Sequence, residues 1–360
     1  MTPEKTPSTA APSASAGDDN SFSRTPAAAP SAPANMEIQR RGTRRASASA
    51  GGDNSFSRTP APAWKVQQER GTRVMLLFIL WIARHAGRTA TRIMLWPITI
   101  YFLLSARLAT RASRQFLQKA LGREPALREV ARHIHHFASA TLDRFFFLMN
   151  RRGDFQVQIH RAKEEEQDTY YGARGSLVFV SHLGSFEALR TLAHHRRPMK
   201  VLLDRHQSRI FTALIENLDP GLAANIIDVS QSGPGLALSI KQALDQRERV
   251  GIMVDRPRPG ERTVPVEFMG ALAPFPAGPW LLAAALQARV VLAFSLYRGG
   301  NRYDNHHELF TEQLLIPRDN REEELRRCVQ QYASRLEHYA RMAPYNWFNF
   351  YDFWDATAQH

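Results

Sequence analysis

Within this 360-residue chain, His182 and Glu187 stand where side chains readily do chemistry. Ser176 to Val180 (SLVFV) is a continuous apolar run, as in a strand buried on both faces of a parallel sheet. His182 follows it directly, Gly184 allows a tight turn, Ser185 is suited to cap a helix, and Glu187 falls in that helix's first turn. An imidazole titrates near neutrality, so His182 is suited to act as a general base. A carboxylate on its other nitrogen would fix the tautomer and stabilise the forming imidazolium, a role this spacing offers to Glu187. N–H groups at the helix start could stabilise an oxyanion. Histidine followed five residues later by glutamate is common by chance, and a satisfied loop histidine with a capping glutamate is the plainer alternative.

The elements around this pair decide whether it has a rim to sit on. From about Asp154 the texture alternates between strand and helix. Strands are expected at Phe155 to His160, Ser176 to Val180, Lys200 to Leu203, Ala224 to Val229, Val250 to Val254 and Val290 to Leu296. Helices are expected at Ser185 to His195, Arg209 to Leu218, Leu236 to Gln246 and Trp280 to Leu286. The pattern predicts an α/β fold with a mostly parallel central sheet flanked by helices. In such sheets, sites gather at the carboxyl ends of strands. Arg205 and Asp255-Arg256 follow two of these strands, where arginine suits phosphate recognition and Asp255 could bond Arg256.

Other histidines invite a metal reading. His133 and His136 share a face of a helix expected over residues 107 to 150, which breaks at Gly122 to Pro125. No carboxylate or cysteine joins them at ligand spacing, so packing histidines are expected and no metal site is assigned. His306 and His307 could hold a second base, although an exposed turn after a strand explains them as well.

Residues 1 to 63 are rich in Ala, Ser, Pro and Gly, and Ser13 to Ala27 recurs as Ser47 to Ala61 with one change. A disordered leader with a duplicated linker is expected, since so few large apolar residues cannot offset the entropy of ordering. Val74 to Ala83 and Ile93 to Leu104 are apolar runs shorter than the roughly 20 residues of a bilayer span. Between Arg70 and Arg114 stand eight Arg and no Asp, Glu or Lys. This predicts a helical region over 64–150 lying in an anionic membrane interface, folded as one domain with an α/β core over 151–360. One kinked span bent at Pro97, or two buried core helices, are the alternatives.

The chain carries 47 Lys+Arg against 34 Asp+Glu, a net charge of +13, and one cysteine, Cys328. A lone cysteine excludes an intrachain disulfide and fits a reducing compartment. No apolar stretch lies early enough for a secretory signal, so the cytoplasmic face of an inner membrane is the expected location, with peripheral or monotopic attachment. Nucleic acid is not the expected partner of the positive charge: the arginines border apolar runs, and no nucleic-acid-binding motif is present.

The HLGSFE segment from His182 to Glu187 resembles the His-x4-Asp/Glu motif of the lysophospholipid acyltransferase superfamily, in the glutamate form of its lipid A late acyltransferase branch. Gly251 to Arg256, Thr263 to Gly270, Phe275 to Leu282, Val290 to Arg298 and Pro344 to Trp354 resemble further segments of that branch in the same order, so the likeness runs over about 64 to 354. The resemblance implies that His182 deprotonates an acceptor hydroxyl or amine on a lipid, with Glu187 orienting it. A thioester of acyl carrier protein or coenzyme A would donate the acyl chain as co-substrate, with no bound cofactor. Gly184, Ser185, Arg205, Asp255, Arg256, Phe268 and Gly270 would contact substrate. Arg256 stands where the branch commonly has glutamine, and Gly299 to Tyr303 is a distinctive loop. Both features are closer to a sister group of predicted acyltransferases, some in polyene-lipid pathways, which puts lipid A as acceptor in doubt. A catalytically silent lipid-binding or scaffold protein of the same fold, or an acyl-thioester hydrolase, is the alternative.

Overall fold

The structure is a computed structural model that describes residues 81, 85, 87–161, 175–190, 199–205, 209–231, 233–258 and 260–354. The expected leader, most of the Val74 to Ala83 run and residues 191–195 of the expected helix lie outside the described residues.

Three helices open the described chain: α1 (Gly87–Ser105), α2 (Arg107–Leu121) and α3 (Leu127–Leu148). α1 passes through Pro97 without stopping, and the 95° bend comes instead at the break before α2. No single described helix is long and apolar enough to cross a membrane, although α1 and α2 together pass by length and composition. α2 ends where Gly122 takes the left-handed conformation, the common helix stop. At the start of α3, the Glu129 carboxylate accepts the Ala126 backbone N–H at 2.8 Å. Arg88 forks onto the buried Asp143 of α3 at 2.8 and 2.9 Å, tying α1 down.

The sheet has seven strands: β1 (Gln156–Arg161), β2 (Ser176–Val180), β3 (Met199–Leu203), β4 (Ile226–Asp228), β5 (Arg249–Met253), β8 (Arg289–Tyr297) and β9 (Arg302–Thr311), in the order β1-β9-β8-β2-β5-β3-β4. All neighbours run parallel except β8 and β9. The expected α/β class with a mostly parallel sheet is therefore present. β6 (Thr263–Phe268) and β7 (Ala271–Pro276) form a separate hairpin. Its two turn residues, Met269 and Gly270, both have positive φ, as a two-residue hairpin turn requires.

Helices α4 (Phe186–Arg190), α5 (Arg209–Leu218), α6 (Pro220–Ala223), α7 (Gly233–Asp245) and α8 (Gly278–Ala285) connect the strands. The closing helix α9 (Arg321–Met342) buries Leu325, Cys328, Val329, Tyr332, Leu336 and Tyr339, a stripe at helical spacing. Phe116, Leu117, Val130 and Ile134 of α2 and α3 share one core cluster with the sheet residues Phe179, Val250 and Phe294. Burying each such side chain contributes roughly 1.5–3 kcal/mol, so the opening helices are held as part of the α/β core.

His306 and His307 are not on a turn but within β9, and His307 is buried. β9 alternates, with Tyr303, Asn305 and His307 buried on one face. Its polar composition hides a strand whose inward side chains are polar or aromatic rather than aliphatic.

Candidate active site

β2 and β5 are neighbours, and their register pairs Val180 with Met253. The pairing continues as Val254 donates its N–H to the Val180 carbonyl at 3.0 Å. Carried to the strand ends, the same register sets His182 beside Asp255. His182 Nδ1 lies 2.9 Å from Asp255 Oδ1, and the His182 backbone N–H donates to Asp255 Oδ2 at 3.0 Å. Two strands thus deliver an imidazole and a carboxylate to one rim.

A carboxylate that accepts this bond requires the hydrogen on Nδ1, which leaves the lone pair on Nε2. The ring keeps 37% of its side-chain surface accessible. Burial and the nearby Arg256 guanidinium, with a smaller push from Arg144, hold the imidazole below its ordinary titration range against the pull of Asp255. The base is therefore neutral and competent at physiological pH. Burial alone would raise the Asp255 carboxyl, but the charge and hydrogen bonds of His182 and the charge of Arg256 outweigh it and keep the group ionised.

Glu187, expected to orient the ring, is placed elsewhere. Its Oε1 lies 2.8 Å from Arg144 Nε on α3, and its Oε2 accepts from Ser185 Oγ at 3.4 Å. It is buried and joins α4 to α3. The carboxylate on His182 is Asp255 because parallel register brings it level, whereas Glu187 sits one helical turn further along the chain.

Ser185 caps α4 as expected, its Oγ accepting the Ala188 N–H at 3.3 Å. Gly184 has φ +70°, and a Cβ there would come within 1.6 Å of the Ser295 carbonyl oxygen of β8. Only glycine fits between the His182 loop and that strand. The backbone N–H groups of His182, Gly184 and Ala188 are taken by Asp255, the Asn346 carbonyl and Ser185 respectively. These three are therefore not free to act as oxyanion donors.

Arg256 directs Nη2 at the Phe348 carbonyl and lies over the Tyr351 ring, while its Nε is buried without a hydrogen-bond partner. Arg205 stands past β3 and pairs with Glu216 of α5 at 3.8 Å. Phe268 is fully buried against Trp347 and Phe275, and Gly270 completes the β6–β7 turn. These last three are not brought against His182.

The residues 344–354 are part of the site, which sequence reasoning did not anticipate. Trp347 Nε1 donates to Asp255 Oδ2 at 3.0 Å, so both carboxylate oxygens are held. Phe348 donates its N–H to the His182 carbonyl at 2.9 Å, and Leu183 bridges to Trp347 in antiparallel fashion. The Trp347 carbonyl accepts from His133 Nε2 at 2.9 Å, and His133 Nδ1 meets Ser113 Oγ at 2.8 Å. His133 is thus a satisfied core histidine, as the sequence reading expected. The available signal was the aromatic density of Asn346 to Trp354, whose buried indole needs an acceptor. No protein-family model matches this chain, and no curated protein matches it.

Proposed function

We propose that the chain is a membrane-associated acyltransferase in which His182 is the general base and Asp255 its positioning carboxylate. The observation that carries the reading is the His182–Asp255 pair at 2.9 Å, which engages Nδ1 on a ring that keeps 37% of its side-chain surface accessible. In this reading Nε2 removes the proton from an acceptor hydroxyl or amine as that atom attacks the thioester carbon. The protonated ring, stabilised by Asp255, then returns the proton to the departing thiolate. Arg256 Nε, a buried donor beside the base, is suited to the developing oxyanion. No covalent acyl-enzyme is needed, because the reactants are held together while the base acts. The order of motifs resembling the lysophospholipid acyltransferases supports the same chemistry, with acyl carrier protein or coenzyme A thioester as donor and a lipid as acceptor.

Ile93, Trp96, Ile100, Tyr101 and Leu104 are exposed along α1, and Leu108 continues the line onto α2. Arg107, Arg111 and Arg114 are exposed on α2. An apolar stripe joined to an arginine stripe fits attachment to an anionic membrane surface, where a lipid acceptor would be met.

The test is the lipid profile of cells lacking the gene, complemented by wild type or His182→Ala, with flotation of both proteins on anionic vesicles. One acylated species should return with wild type only, and both proteins should float. Restoration by the alanine variant would overturn the mechanism. Release of free fatty acid in place of an acylated lipid would identify a hydrolase.

A further inference from the structure

Far from His182 in the sequence, three groups with metal-ligand chemistry meet on two neighbouring strands. β1 and β9 pair in a register that sets His160 directly beside His306. Asp304 lies two residues earlier on β9 and therefore on the same face of the sheet as His306. One donor atom from each of His160, Asp304 and His306 falls within 4.8 Å of the others.

The state of each donor suits a ligand. The two imidazoles stack with centroids 4.5 Å apart and planes only 11° from parallel, so one ring must turn before both aim a lone pair at one ion. His306 Nε2 is buried with no hydrogen-bond partner, an unfavourable state that a bound ion would relieve. Asp304 divides its oxygens. Oδ2 takes Arg298 Nε at 2.6 Å, whereas Oδ1 faces His160 Nε2 at 3.9 Å, too far for a hydrogen bond. A carboxylate steadied on one oxygen and open on the other is the usual condition of a metal-bound one.

We propose that His160, Asp304 and His306 form a transition-metal site for Zn²⁺ that ties the edge strand β1 to β9. Two imidazoles and one carboxylate favour zinc over magnesium or calcium, which take oxygen ligands. Zinc bonds of about 2.0–2.2 Å in tetrahedral geometry space the ligand atoms roughly 3.3–3.5 Å apart. The half-exposed His160 ring closes that difference by turning toward the other two. Three protein ligands leave one position for water. His160 and His306 are 146 residues apart in the chain, which is why no local spacing revealed the site. The site is separate from the acyltransferase reading and stands without it.

The test uses the purified full-length protein, dialysed against chelator and then titrated with Zn²⁺, and with Co²⁺ for its visible absorption. One site of micromolar affinity is expected, with Co²⁺ bands of low coordination number and a raised unfolding temperature in Zn²⁺. His160→Gln, at an exposed position that leaves metal-free melting unchanged, and His306→Gln should each weaken binding at least about tenfold. His338→Gln, at an exposed histidine on α9, should leave it intact. No binding at micromolar Zn²⁺, or binding that survives either of the first two substitutions, would overturn the proposal.

Discussion

At the scale of single residues, the candidate site separates two carboxylates that the sequence could not tell apart. Asp255 touches the base and Glu187 touches Arg144. Asp255→Asn offers a side-chain N–H₂ to Nδ1 and favours the tautomer with hydrogen on Nε2, the atom that must accept the proton. A rate loss of about 10²- to 10⁴-fold with the fold intact is expected. Glu187→Gln should cost clearly less, and single-turnover assays of both variants check the order. If Glu187→Gln proves the more damaging, Asp255 is not the orienting group. Arg256 provides an independent handle through pH. Its positive charge opposes the imidazolium, so removing it raises the His182 pKa toward the ordinary histidine value. The active form is the neutral ring, so Arg256→Gln should move the acidic limb of the rate profile to higher pH. Asp255→Asn, which removes a negative charge, should move it lower. A limb that stays in place in both variants would mean that His182 is not the titrating base.

At the scale of elements, the site depends on strand ends kept level and on a loop with room for only one residue type. Gly184→Ala must drive a Cβ into the Ser295 carbonyl and also holds a positive φ that alanine resists. The loop must shift, and with it the bond from the Gly184 N–H to the Asn346 carbonyl. We expect a loss of about 2–4 kcal/mol in denaturant unfolding, beyond the common effect of a point change. Activity should fall even where the variant stays folded. The legible parts of the chain follow the same logic. Ser176 to Val180 and Arg209 to Leu218 were readable to the residue, because an unbroken apolar run and a clean helical stripe are local signals. The pairing of His182 with Asp255 was not, since it depends on the register between strands 73 residues apart. β9 was missed because its buried positions hold Asn305 and His307. α9 was not assigned: its buried stripe is diluted by a strongly charged outer face.

At the scale of the whole molecule, the site is joined to the packing of the core through one histidine. His133 donates to the Trp347 carbonyl, Trp347 holds Asp255, and Asp255 holds His182. Burial drives His133 down to about 4 from an ordinary 6.5, so the folded protein keeps it neutral. An unfolded chain would bind a proton at this residue below about 6.5, whereas the folded chain refuses it until about 4. Stability therefore rises with pH across that window, is complete above it, and is lost as pH falls through it. For this fully buried ring the contribution is on the order of 3 kcal/mol, a sizeable share of the roughly 5–15 kcal/mol that holds a typical domain. His136, pushed down to about 3 by burial and neighbouring Arg132, acts in the same direction. The denaturant midpoint should thus drop steadily between about pH 6.5 and 4. His133→Gln, which can still donate to the Trp347 carbonyl, should flatten that slope while lowering stability at neutral pH. A midpoint independent of pH in this range would mean that His133 titrates normally. The connection from Ser113 through Trp347 to the base would then lack the buried, neutral imidazole on which it depends.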